Sequence, residues 1–404
     1  MFDRDSYQAP EDLNRLRTLS LGVGGIALIV WAIGCYFNTE QALRSWLLGF
    51  IFWAGIGIGS LGILMLQYLT GGAWGVVIRR IMEACSRTLP VIALLFLPIA
   101  VGITHLYEWT HLPHTDHIME ERGWFMTVES WILRSVIYFI LFGVMGYLLN
   151  KWSAAQDRSA DYEEASRWLE LCSKFSGPTL VIYALVVTFA VVDWVMMLDP
   201  HWFSTIYGLL FVAGWALSCF CFSVVILAYL LDKGPMNRVL GRRHFHDLGK
   251  LMLALVMVWA YFNFSQFLII WSGNIPEETG WYLTRMGGGW GIIAWILILF
   301  HFAFPFLVLL KQDLKRHEKR LAAVAIFVLV MRLVDMFYLI GPNPRIDTHG
   351  LAQGAFVVSW LDFVAPIAVG GIWLWYFFGQ LMKRPLVPIM DPFLGPAIEH
   401  GKEH

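Results

Sequence analysis

Seven ionisable side chains lie inside otherwise apolar stretches of this 404-residue chain: Glu129, Arg134, Asp193, His301, Arg332, Asp335 and Asp362. A charge within hydrocarbon costs on the order of 2.5–3.5 kcal/mol on insertion scales, so each needs a reason to be there. One reason is proton or quinone chemistry. Carboxylates and histidines spaced so that water can bridge them relay protons, because burial and neighbouring charge move their pKa. The other reason is static: Arg134 and Arg332 neutralise carboxylates and lock the helices together. Arg332 and Asp335, three residues apart, are placed to pair within one helix. His301 alone is more simply a hydrogen-bonded packing histidine. Two prolines sharpen the picture. Pro305 follows His301 by four residues and Pro366 follows Asp362 by four. Each proline removes the hydrogen bond to the carbonyl four residues back, leaving an acceptor where water or a ligand can be held.

The elements that must carry these groups are ten apolar runs, near 19–37, 44–70, 89–107, 125–150, 175–199, 203–231, 248–271, 287–310, 321–340 and 355–379. Each is long enough for a helix to cross roughly 30 Å of hydrocarbon. The basic residues fix the orientation. Of 29 Lys and Arg residues, 23 fall in the two terminal segments and in the loops 71–88, 151–174, 232–250 and 311–320. The alternate loops hold only Arg44, Arg122, Arg285 and Arg345. The positive-inside rule therefore predicts an all-α integral membrane protein with both termini in the cytoplasm. Its parts are a cytoplasmic segment 1–18, a ten-helix region 19–380 and a cytoplasmic tail 381–404. Counting about 1.5 Å per residue from the outer ends puts Glu129, Arg134, Asp193, Arg332, Asp335 and Asp362 in one layer of the outer half, with His301 deeper, roughly 20 Å in.

Hydrophobic content of 58% excludes an ordinary soluble domain, and the net charge of −1 gives no sign of nucleic acid as a partner. The first eighteen residues mix Asp3, Asp5, Glu11 and Asp12 with Arg15 and Arg17, unlike a signal peptide. The five cysteines lie in or beside the apolar runs or on the cytoplasmic side, so a disulfide framework is not expected. There is no CxxCH for covalent haem c, no CxxC pair, no Walker A loop and no dinucleotide glycine pattern. The outer loop His111-x-x-His114-x-x-His117, near Glu108 and Asp116, has some metal-ligand character, but Pro113 interrupts it and a polar loop facing another subunit fits better. Only His105 and His301 qualify even loosely as haem b ligands, and at different depths. Gly55, Gly57, Gly59 and Gly62 in the second run point to close helix packing.

Two stretches are specific enough to carry a resemblance. One is Asp193-Trp-Val-Met-Met-Leu-Asp199-Pro200-His201-Trp202-Phe-Ser-Thr-Ile-Tyr-Gly208. The other begins His246-Asp-Leu-Gly-Lys250 and continues through Trp259-Ala-Tyr-Phe262, Phe264-Ser-Gln-Phe-Leu-Ile-Ile-Trp271 and Asn274-Ile-Pro-Glu-Glu278. With ten spans and no cofactor motif, the chain from about residue 20 to 380 resembles the second quinone-type membrane subunit of bacterial alternative complex III, within the wider NrfD-like (polysulfide reductase membrane subunit) family. The resemblance implies a place in the bacterial inner membrane, inside a quinol:cytochrome c (or other periplasmic acceptor) oxidoreductase. It implies a sister NrfD-like membrane subunit, an iron–sulfur subunit, c-type cytochrome subunits and small membrane subunits as partners, with lipid around them and a terminal oxidase as a further associate. Haem c and iron–sulfur clusters would belong to those partners. Quinone or quinol binding is implied for the complex, more firmly in the sister subunit. This chain is then expected to hold no redox centre, to act as a scaffold and to offer a proton half-channel built from Asp193, Glu129, Arg134, Arg332, Asp335, Asp362 and His301.

Two other functions remain open at this point. A purely structural anchor needs no proton role. A secondary transporter also has about ten spans with buried charge, but transporters commonly show matched halves and a midplane site, whereas these charges lie off-centre and no internal repeat is evident.

Overall fold

In the computed structural model, which describes residues 7–113, 115–233, 235–346 and 354–402, every regular element is helical. Ten helices are long and apolar enough to cross a membrane: α1 Asp12–Phe37, α2 Thr39–Thr70, α3 Ala73–Val101, α4 Val128–Gln156, α5 Tyr162–Leu198, α6 Tyr207–Leu231, α7 Arg242–Gly273, α8 Gly288–Leu310, α9 Glu318–Ile340 and α10 Leu361–Leu381. The chain is thus an all-helical, multi-pass membrane protein. The segment before α1 meets the C-terminal tail, Leu386 N donating to Tyr7 O at 2.9 Å, so the two terminal segments share one end of the bundle.

Burial ranks the helices. The most apolar window of α2 is 89% buried and that of α6 is 83%, whereas α1, α7 and α8 reach only 22%. Hence α2 and α6 form the centre, and the outer helices present apolar side chains such as Ile26, Ile29, Ile269 and Trp295 outward. In water such faces would drive association, but in lipid they need no partner because tails are equally apolar. The glycines of α2 act as the sequence predicts. A Cβ at Gly59 would come within 2.9 Å of Cys219 Sγ on α6, and one at Gly62 within 2.6 Å of the Tyr183 ring on α5. Against α10, Gly24 of α1 lies backbone to backbone with Gly371, where a Cβ would meet main-chain atoms at 2.8 Å. No lipid-facing side chain is needed to explain these approaches.

Three departures from the sequence expectations matter for function. The second span begins at Thr39, only one residue after α1, because the Asn38 side chain caps it by accepting from Gln41 N at 3.0 Å. Arg44 is therefore a helical residue, 2% exposed. The third span begins at Ala73 rather than 89, so the basic residues of 71–88 are not a solvated loop. Val76, Val77, Ile78, Ile81 and Met82 are buried along it, and with them Arg79, Arg80 and Glu83. Finally, α8 is not a plain kinked helix. Residues Leu297–Ala303 form a π-helical turn just before Pro305, a wider coil that accommodates the backbone donor the proline lacks.

Candidate functional site

The buried charges separate into three clusters in the body of the bundle. In the first, Arg134 of α4 grips Asp193 of α5 through two bonds, Nε to Oδ2 at 2.7 Å and Nη2 to Oδ1 at 2.9 Å. Tyr138, one turn beyond Arg134, donates its hydroxyl to Oδ2 at 2.7 Å. The guanidinium also bonds Phe125 O at 2.8 Å and Ser130 Oγ at 2.6 Å, and sits 3.6 Å over the Phe125 ring. Asp193 is fully buried, and its charge is matched by a rigid planar fork. The helix end around it is closed as well: Trp131 Nε1 donates to Asp193 O and Tyr107 Oη to Trp194 O, both at 2.8 Å. Glu129 takes no part; it is exposed in the first turn of α4.

The second cluster joins α7, α8 and α9. Arg332 and Asp335 form the intrahelical pair expected from their spacing, both about 1% exposed. The Trp259 indole donates to Asp335 Oδ2 at 3.1 Å, and its ring stacks on His301, centroids 4.0 Å apart and 8° from parallel. His301 is fully buried in the π turn, and neither ring nitrogen has a hydrogen-bond partner among the described residues. Straight-helix counting puts His301 well below Asp335. One indole bridges them instead, because that counting assumes helices that all start in a common plane.

The third cluster is Asp362 at the start of α10. Its Oδ1 accepts from Ser45 Oγ at 2.5 Å and Gln41 Nε2 at 2.9 Å, both on α2, and its Oδ2 from Ser359 N at 2.8 Å. These partners are neutral. Beside them lies a cavity of about 10 Å³, lined by Gln41, Arg44, Arg345 and Asp362, about the room one water needs. Gln41 Oε1 and Arg44 Nε are buried there without hydrogen-bond partners. No hydrogen bond among the described residues connects the three clusters.

Arginines whose loop positions looked topologically exceptional have structural work. Arg44 donates to Ile340 O at 3.2 Å, Asn343 O at 3.0 Å and Pro344 O at 2.6 Å. Arg285 donates to Leu339 O at 3.1 Å and Asn343 Oδ1 at 2.7 Å, and stacks 3.5 Å over Trp281. Together they cap the C-terminal carbonyls of α9, which carry partial negative charge and lack intrahelical donors. Burial lowers the Arg285 pKa to about 10. At the same end Glu108 and Asp199 both titrate above their usual range through burial, and the Asp199 carboxylate raises Glu108 further.

A fourth, unexpected network lies at the end that holds the termini. Glu83 accepts from Ser153 Oγ at 2.5 Å, Arg80 Nη1 at 2.7 Å and Arg384 Nη1 at 3.1 Å. Arg80 also pairs with Asp157, and Arg79 with Asp391 of the C-terminal tail. All but Asp157 and Arg384 are nearly sealed from solvent. Sequence reasoning missed this network because it treated these arginines as surface charge. The i,i+3 spacing of Arg80 and Glu83 was the available signal. Tyr138, at i+4 from Arg134, and Ser45, at i+4 from Gln41, could likewise have been placed on shared faces; the partnership of Trp259 with Asp335 has no local signal.

As for a metal, His111 bonds Thr110 Oγ1 at 2.9 Å and His117 faces Glu121 at 3.4 Å, while His114 lies outside the described residues. No group of three His, Cys, Asp or Glu suited to a metal occurs among the described residues. No protein-family model matches the chain, and no curated protein sequence matches it.

Proposed function

We propose that the chain is an integral subunit of a quinol-oxidising respiratory complex of the alternative complex III type, in the bacterial inner membrane, with both termini cytoplasmic and an NrfD-like fold. Its partners are a sister membrane subunit and the iron–sulfur and c-type cytochrome subunits that hold the redox centres. The two long stretches from Asp193 and from His246 support the assignment, as do ten apolar helices in the chain.

Within that complex the chain supplies a scaffold and a proton half-channel. One observation carries the proton role: of the carboxylates in the three clusters, Asp193 and Asp335 are each tied to an arginine, whereas Asp362 is held by neutral donors beside a water-sized cavity. A carboxylate paired with a guanidinium has its counter-ion built in, while one held by a hydroxyl, an amide and a backbone N–H beside a cavity has room to exchange a proton with water. Asp362 is therefore the exchanging group, Gln41 and Ser45 orient it, and Arg44 and Arg345 line the cavity beside it. Asp193 and Arg134 hold α4 to α5, and Arg332 with Asp335 holds the second cluster.

The test is Asp362→Asn in the intact complex. The reading predicts slower quinol turnover or fewer protons released per electron, with assembly unchanged. Unaltered kinetics and stoichiometry in a fully assembled complex contradict the half-channel. The rival reading, a purely structural anchor, draws on the separation of the three clusters, and that outcome would leave it standing.

A further inference from the structure

A different feature lies at the end of the bundle that holds the termini. Residues 242–250 open α7, and residues 311–320 run from the end of α8 into α9 through a short helix, Gln312–Arg316. Between them these two segments carry eight Lys and Arg residues against three acids. They pack together: the Lys315 side chain lies across Gly249, its Cγ within 2.7 Å of where a Cβ would stand. Any larger residue at 249 would displace the Lys315 stem.

Lys315 is the unusual member. It is only 6% exposed, yet it makes no hydrogen bond or ion pair with any described residue. Burial, and next the charge of Lys250, lowers its pKa. Around it, Lys250, Lys315 and Arg316 all act electrostatically on His246. The one acid of the 242–250 segment is already engaged: Asp247 Oδ1 bonds Lys250 at 3.2 Å and Oδ2 bonds His400 at 2.8 Å. A lysine whose stem is covered while its ammonium still reaches solvent, standing among other cations with no anion of its own, is an arrangement that an external anion completes. The surface leading away from it is apolar, since Leu307 and Leu310 on the last turn of α8 are 61% and 52% exposed. Lys311 follows directly.

We propose that this basic cluster binds the headgroup of an anionic phospholipid, with the phosphodiester between Lys315 and Lys250 and the acyl chains along Leu307 and Leu310. Basic clusters beside membrane helices suit such headgroups because the phosphate gains charge-assisted bonds while the tails stay in hydrocarbon. The continuity of the basic cluster with the exposed apolar side chains of α8 favours a lipid over a soluble anion.

The test is lipid binding to the purified full-length protein in detergent, read by native mass spectrometry and by thermal unfolding. Phosphatidylglycerol is the probe, phosphatidylcholine the zwitterionic control and inorganic phosphate the soluble control. The expected result is preferential retention of phosphatidylglycerol with a raised unfolding midpoint, weakened roughly fivefold for each lysine removed in Lys315→Gln and Lys250→Gln. Lys174→Gln, elsewhere on the chain, should leave it unchanged. Should Lys315→Gln fail to fold, the exposed Lys250→Gln still carries the comparison. Equal retention of both lipids, or indifference to either substitution, overturns the site. An equal shift with inorganic phosphate alone overturns the lipid and assigns the cluster to a soluble anion.

Discussion

The Arg134 guanidinium meets the Asp193 carboxylate edge to edge, Nε to Oδ2 at 2.7 Å and Nη2 to Oδ1 at 2.9 Å, across the α4–α5 contact. The carboxylate is sealed and also receives the Tyr138 hydroxyl. Breaking one side of such a pair leaves an uncompensated buried charge and costs about 3–5 kcal/mol. Asp193→Asn is accordingly expected to lower the unfolding midpoint and the yield of purified protein. Arg134→Gln combined with Asp193→Asn should be milder than the sum of the single changes. A thermal double-mutant cycle checks this; additive effects would mean the two residues do not act as a pair.

Arg44 and Arg285 converge on the end of α9, and their guanidinium forks reach several carbonyls at once. Lysine keeps the charge but not the fork or the ring contact. Arg285→Lys should therefore destabilise the protein by about 1–3 kcal/mol, the cost of leaving buried acceptors without donors. Denaturant or thermal unfolding measures it, and a variant as stable as the parent would remove the capping role.

The loop acids set a pH dependence. Asp199 and Glu108 are raised above 3.8 and 4.5 by burial. A carboxyl with a raised folded pKa binds its proton more tightly when folded. Its stabilising contribution is full below the unfolded value and is lost as pH rises through the folded one. Asp199→Asn, which cannot ionise, should therefore gain stability over the parent at pH 7.5 and show little difference at pH 4. Unfolding midpoints of both proteins at the two pH values decide it; a gain confined to acid pH would reverse the sign.

Glu83 ties three elements together at the opposite end through Ser153, Arg80 and Arg384. Replacing it by glutamine keeps the shape and removes the charge that Arg80 and Arg384 share. The expected result is a loss on the order of 3 kcal/mol and faster hydrogen exchange in 384–397, since Arg384 anchors the tail. Unchanged exchange in that segment would show that the tail is held by its apolar contacts alone.

Much of the architecture was legible in the sequence because hydrocarbon imposes a simple rule: about twenty apolar residues and a helix to satisfy the backbone. The ten spans follow from it, as does the Arg332–Asp335 pair from helical spacing. The start of α3 was not legible. Arg79, Arg80 and Glu83 look soluble one at a time, and only their mutual neutralisation lets the segment be buried. The grouping of the site residues was also hidden. Trp259 reaches Asp335 and His301 across three helices, a contact set by tertiary packing with no trace in local spacing. Residue depth counted along straight helices could not foresee it, nor could it show that Asp362, unlike Asp193 and Asp335, is held by neutral groups.

The most direct measurement is gentle affinity purification of the chain from native membranes, followed by a reduced-minus-oxidised optical spectrum and a quinol-oxidation assay. This account predicts co-purifying c-type haem at near-stoichiometric level together with quinol oxidation, although the chain itself has no CxxCH motif. A colourless, monodisperse protein without redox partners would contradict it and turn attention to transport.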